Sequence, residues 1–227
     1  MTTQIRPELD HRTVGEIAAT VPGATTIFRK FNVDFCCHGN VALAEAARQR
    51  GLNVADLEEA LRSLDASDTP AVFSLGTNEL IDHILTHYHE PQRRALTELV
   101  ELAKKVEAVH AKHPDVPRNL ADLLYQMRGE LEVHMKKEEL ILFPVMRRGP
   151  DVRVDGPITQ MRHEHDDHGE HLRRLETLTN GFHPPADACP SWRALYTGAA
   201  KLADDLKEHI HTENNILFPR FQEAQAS

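Results

Sequence analysis

Two stretches of this chain read almost as copies of each other. His134-x-x-x-Glu138 runs on to Leu142-Phe143-Pro144, and His209-x-x-x-Glu213 runs on to Leu217-Phe218-Pro219, 75 residues further along. A second match sets His89 ahead of Leu96, Leu99 and Leu102, and His165 ahead of Leu172, Leu175 and Leu178, at an offset of 76. The region beyond residue 76 therefore reads as one helical hairpin written twice. Each copy has one helix with a single histidine and one helix with His-x-x-x-Glu.

The apolar spacing agrees with four long amphipathic helices. The first carries Ile81, Leu85, Leu96, Leu99, Ala103 and Val106. The second carries Leu120, Leu123, Met127, Leu131, Ile141 and Val145. The third carries Ile158, Met161, Leu172, Leu175 and Leu178, and the fourth Trp192, Leu195, Ala199, Leu202, Leu206 and Ile216. Proline-containing breaks at 114–117, 150–157 and 184–190 separate them. Four such helices with short connections predict an all-α, up-down four-helix bundle over residues 77–227.

Ahead of it, residues 1–66 predict a small domain of short helices. Thr13 and Glu16 have the spacing of a capping box. Asn40 is placed to cap an Ala-rich helix ending at Gly51, and Asn53 to cap one carrying Leu57, Leu61 and Leu64. Residues 67–76 read as a linker, since Asp65–Pro70 is a polar, turn-forming stretch.

Residues four apart on a helix share a face. His134 with Glu138, and His209 with Glu213, each fall on the apolar stripe of their helix. His89 aligns with Leu85 and Leu96, and His165 with Met161 and Leu172. Six polar side chains thus point into a bundle core, where uncompensated burial costs several kcal/mol, roughly. Two bridging glutamates and two histidines per ion give a pair of metals four protein ligands each, and a solvent-derived bridge makes five. Mixed imidazole and carboxylate ligation suits iron, manganese or zinc. A hydrogen-bonded histidine–glutamate network without metal accounts for one such pair better than for two repeated pairs plus two repeated histidines.

The remaining histidines fit less well. His83 and His87 fall on a solvated flank, and His163 and His211 lie roughly opposite the inner face. His168 shares the inner stripe and is expected to line the site, with ligation as the alternative. Glu164, beside His165, is expected on a solvated flank, with the lining of an access route as the alternative. Pro91 should kink its helix or mark a bulge just after His89.

Three cysteines, an odd number, argue against a disulfide framework. Cys36 and Cys37 are adjacent, ahead of the helix start expected at Asn40. A helix N-terminus favours thiolate, so the pair is a candidate redox or iron relay; the plainer alternative is two small buried apolar side chains. Cys189 has no evident partner. A formal charge of −9 without a Lys/Arg block argues against nucleic acid as a partner. With no membrane-length apolar run and no signal-peptide pattern, the expectation is a cytoplasmic protein.

Asp34-Phe35-Cys36-Cys37-His38-Gly39 resembles the N-terminal motif of the iron-sulfur cluster repair di-iron proteins, the RIC or ScdA/YtfE-type family. The doubled His-x-x-x-Glu…Phe-Pro signature resembles their hemerythrin-like domain. The resemblance spans nearly the whole chain. It implies a non-haem centre of two iron ions on His89, His134, Glu138, His165, His209 and Glu213. It also implies restoration of iron-sulfur proteins damaged by nitrosative or oxidative stress, by supplying iron or reacting with nitric oxide. Damaged iron-sulfur proteins and diatomic molecules such as nitric oxide or oxygen are then the partners, and a homodimer is left open. An iron-donor role is favoured over enzymatic nitric oxide turnover. The alternative is a hemerythrin-like sensor or store of oxygen, nitric oxide or iron. The chain departs from the family pattern at His38, where the motif commonly has glycine, and at Pro91. Gly169 stands where the oxygen-carrying hemerythrins place an extra histidine, which argues for more open iron.

Overall fold

The computed structural model describes residue 9 and residues 11–64 and 71–222. Most of the expected linker, Asp65–Pro70, lies outside the described residues. Four short helices come first: α1 (Val14–Thr20), α2 (Ala24–Lys30), α3 (Leu43–Gln49) and α4 (Val54–Arg62). The Thr13/Glu16 capping box forms, with both reciprocal hydrogen bonds present. Asn53 caps α4 through Ala55 N–H at 3.2 Å. Asn40 does not start α3, which begins at Leu43. Val41 and Ala42 are extended instead, because Thr13 and Ala42 form an isolated antiparallel bridge and Val41 O accepts from Val14 N–H. That pairing satisfies the backbone locally and delays the helix.

The bundle is built from four rods, three of them interrupted. The first is α5 (Thr77–Ile84), a π-helical turn (Leu85–His89) and α6 (Glu90–Val109). The second is α7 (Leu120–Lys137), a π turn (Glu138–Leu142) and α8 (Phe143–Met146). The third, α9 (Asp155–Leu178), is unbroken. The fourth is α10 (Pro190–His211), a π turn (Thr212–Leu217) and α11 (Pro219–Gln222). Sequential rods are neighbours: α6 packs on α7, α7 on α9, α9 on α10, and α10 back on α6. This is the expected up-down order.

One rule explains all three π turns. Each is closed by an N–H bonding five residues back: Glu90 to Leu85, Phe143 to Glu138, Phe218 to Glu213. The next residue is Pro91, Pro144 and Pro219 respectively. A proline inside an α-helix has no N–H to give, and its ring clashes with the carbonyl four residues back. Widening the preceding turn relieves the clash. Pro91 is thus the third case of a device that the Phe-Pro repeats already display, and it marks a bulge as expected.

The extra residue in each π turn slips the inward face by one position. Leu142 is buried whereas Ile141 is 61% exposed, which corrects the placement of Ile141 on the inner stripe. Likewise Ile84 and Leu217 are fully buried, and Leu85 and Ile216 only partly.

The buried apolar side chains form two clusters. One, around Leu80, Ile84, Phe143, Met146, Ile158 and Phe218, fills the end near the π turns. The other runs from Leu96, Leu131, Trp192 and Leu206 into Val14, Phe28, Phe35 and Leu57. The N-terminal helices therefore share one apolar core with the far half of the bundle. Among the described residues no helix is long and apolar enough to cross a membrane.

Candidate metal centre

The six residues predicted from spacing meet between the two apolar clusters. None of His89, His134, Glu138, His165, His209 and Glu213 is more than 1% exposed. They form two overlapping groups, His89/Glu138/His209/Glu213 and His134/Glu138/His165/Glu213. Within each, one donor atom per residue lies within 4.8 Å of the others. Both glutamates belong to both groups. His209 Nε2 is 3.1 Å from Glu213 Oε1, and His165 Nε2 is 3.0 Å from Glu213 Oε2. His89 Nε2 and His134 Nε2 stand 3.4 Å from the two oxygens of Glu138.

All four imidazoles are held from behind. His89 Nδ1 donates to Glu139 at 2.8 Å, His134 Nδ1 to Glu164 at 3.0 Å, His165 Nδ1 to Asn214 at 3.0 Å and His209 Nδ1 to Gln92 at 3.1 Å. With Nδ1 engaged in this way, Nε2 is the atom left to face a metal, the arrangement that metal-ligating histidines use. Glu139 is anchored by Arg93 at 2.9 Å and Glu164 by Lys137 at 2.6 Å. Glu164 is thus not a free solvated flank residue. Gln92, Glu139 and Asn214 carried no sequence signal of their own, because such partners are fixed by which helices become neighbours.

These residues suit a cation on physical grounds. His89 Nε2 and both oxygens of Glu138 are buried without a hydrogen-bond partner, a cost of several kcal/mol, roughly, if nothing compensates it. Without a cation between them the two carboxylates do not both ionise. Burial, and then the charge of Glu213, raise Glu138 well above the usual carboxylate range. For Glu213 burial acts the same way but is outweighed by His209 and His165, which hold it well below. Burial lowers His89 and His134 to about 4, so both are neutral and able to ligate at neutral pH.

His168 is 4% exposed, its ring edge-on to His134 with centroids 5.1 Å apart, as a lining residue should be. His163 is exposed. His83 and His87 stack at 4.0 Å, with His87 exposed and His83 partly so. His211 is turned away from the glutamates but buried beneath the N-terminal helices, against Phe35. Cys189, without an evident partner in the sequence, lies 3.1 Å from His110 Nε2.

The cysteine loop docks on the back of the centre. Asn214, which accepts from His165, donates through Nδ2 to the carbonyl of Cys36 at 2.9 Å, and Asn215 donates to that of Phe35 at 2.9 Å. Cys37 Sγ approaches the His165 carbonyl at 3.4 Å. A Cβ on Gly169 would stand 3.0 Å from Cys37 Sγ, so the glycine gives the thiol its room. His38 has an ordinary negative φ and a 2.8 Å contact to Asp34, so its position needs no glycine; Gly39 does, because a Cβ there would stand 2.9 Å from Asn215 Oδ1. The two sulfurs are 3.6 Å apart and unbonded. α3 begins at Leu43, later than predicted, so the thiols are further from its first turn than the sequence suggested. Instead Cys37, and then burial, push the Cys36 thiol well up. Gly169→Leu should force the loop off α9 and cost about 1–3 kcal/mol. Thermal melting and a several-fold faster alkylation of Cys37 would register it; unchanged alkylation would refute the docking role of Gly169.

A helical bundle with two histidine–carboxylate groups sharing both glutamates belongs with the hemerythrin-type cation-binding proteins. Residues 80–221 match the hemerythrin HHE cation binding domain, and residues 10–65 match ScdA_N, a domain of unknown function. The chain is 46% identical over 215 residues to the iron-sulfur cluster repair protein YtfE of Dickeya chrysanthemi, covering 92% of this chain and 96% of that one. It is 44% identical over 211 residues to a probable iron-sulfur cluster repair protein of Haemophilus influenzae, covering 91% and 95%. YtfE of Musicola paradisiaca is 44% identical over 218 residues, covering 95% and 98%. The chain belongs to the hemerythrin-domain family of iron-sulfur cluster repair proteins.

Proposed function

We propose that this protein restores damaged iron-sulfur clusters through a centre of two iron ions. His89 and His209 would hold one ion, His134 and His165 the other, with Glu138 and Glu213 bridging both. The observation that carries this reading is the sharing of both glutamates by the two four-residue groups. When bound, the iron pair supplies ferrous ions for transfer and a place for a diatomic ligand such as nitric oxide. The chain's own part is to aim four Nε2 atoms inward and to exclude bulk water with the apolar clusters on either side.

The test begins with protein purified without oxygen. About two irons per chain are expected, magnetically coupled in Mössbauer spectra, as bridged ions imply. The loaded protein should restore a nitric-oxide-damaged cluster enzyme, and the chelated protein should not. One isolated iron would refute the bridging, and equal recovery by both forms would refute iron donation.

Cys36 and Cys37 would act behind the centre, as a relay for iron or reducing equivalents. Their support is the pair's position against α9 and Asn214. Because Cys36 holds Asn214 through its backbone carbonyl, replacing both cysteines with Ala should keep two irons bound. Recovery of the damaged enzyme should nevertheless fall several-fold at equal iron loading. Undiminished recovery would reduce the pair to packing residues.

A further inference from the structure

Outside the central six, two more groups of metal-ligating side chains converge among the described residues: Asp34, Cys36 and Cys37 in the cysteine loop, and one between α7 and α9. Glu130 on α7 and His168 and His171 on α9 each offer a donor atom, all within 4.8 Å of one another. His168 and His171, three apart on one helix, share a face. His168 Nε2 is buried with no hydrogen-bond partner, in a residue only 4% exposed. His171 Nδ1 is also buried and unbonded, 3.3 Å from Glu130 Oε2. The other oxygen of Glu130 accepts from Gln126 at 2.9 Å, which orients the carboxylate. Two imidazole nitrogens left unsatisfied beside a carboxylate are costly to bury, and a cation that takes both lone pairs removes that cost.

We propose that Glu130, His168 and His171 form a separate site for a divalent first-row transition ion. Two imidazoles and one carboxylate leave the remaining positions open to water, a donor set suited to ferrous iron, cobalt or zinc and poor for magnesium or calcium. The site lies where a surface groove past Tyr125, Gly129 and Val133 reaches His168 and Glu164. His168 packs on His134, and Glu164 holds that histidine's Nδ1. An ion here occupies a stop between solvent and the central histidines.

Cobalt(II) is the probe, titrated without oxygen into the full chain after chelation, with bound ion counted after dialysis. The wild type should bind one cobalt more than His171→Ala, whose side chain belongs to neither central group. Glu130→Gln, at an exposed position, should weaken the same ion at least ~10-fold. The difference between wild type and variant tests this site; the number left in the variant, two or none, tests the central centre independently. Circular dichroism identifies a variant that has misfolded, and Glu130→Gln then decides. Equal cobalt counts and affinities in the wild type and a folded variant would overturn the proposal.

Discussion

Glu138→Ala should empty both metal positions together, because the carboxylate belongs to both ligand groups. Iron content is expected to fall from about two per chain towards zero, with affinity down at least ~100-fold. A variant that retained one ion with an undisturbed spectrum would show that Glu138 serves a single metal. The amide variants separate the two glutamates further. In protein stripped of metal, burial and the charge of Glu213 hold Glu138 well above the usual carboxylate range, which favours its neutral form. Glu138→Gln replaces one neutral group with another, so the melting temperature of the stripped protein should barely move. Glu213 is held ionised against His165 and His209. Glu213→Gln takes the charge from that contact and should cost about 3 kcal/mol, a fall of roughly 10 °C for a chain of this size. Both variants should lose iron. Only the second should lose stability without it, and equal melting of the two would refute the assigned protonation states.

Acid should unfold the stripped protein well before its carboxylates are exhausted. Burial lowers His89, His134 and His211 from 6.5 to about 4, and His168 to about 2. Unfolded, each takes up a proton as the pH drops below 6.5; folded, it resists until much lower. The unfolded state thus binds more protons between these values, and stability is lost as pH falls through that window. A histidine displaced from 6.5 to about 4 accounts for about 3 kcal/mol, and several together rival a typical total of about 5–15 kcal/mol. Circular dichroism of chelated protein should therefore show unfolding between about pH 6 and pH 4. Iron should leave in the weakly acidic range too, since its ligands must be neutral. His211→Gln, which removes one buried titrating ring outside the ligand set, should move the acid midpoint down. A stripped protein that stayed folded at pH 3 would contradict the burial of these histidines.

The fold and the six central residues were legible because a duplicated motif reports twice on the same geometry, and spacing of four places two side chains on one face whatever the neighbouring helix is. Ile141 misled because the α-helical period was carried through a π turn. Pro144 gave the signal, since a proline two residues past the turn's last buried position cannot be housed in an unwidened helix. Glu164 misled because its face is decided by Lys137 and His134 on another rod. Asn40 lost its capping role to a bridge between residues 13 and 42, a tertiary pairing that local propensity does not carry. The docking of Cys37 rests on Gly169, where the informative feature is a missing side chain.

The π turns divide the bundle into unequal partners. His89, Glu138 and Glu213 each ride on a widened turn, whereas His165 rides on α9, which is continuous from Asp155 to Leu178. A π turn is a single-residue excess in an otherwise α-helical rod, and here the proline after each one holds it in place. Three staves are thus widened beside the centre, and the fourth is an uninterrupted mast to which the N-terminal loop is lashed through Cys37. His89, Glu138 and Glu213 thus take their places from a proline in the sequence, whereas His165 takes its place from an unbroken helix that also holds the thiols.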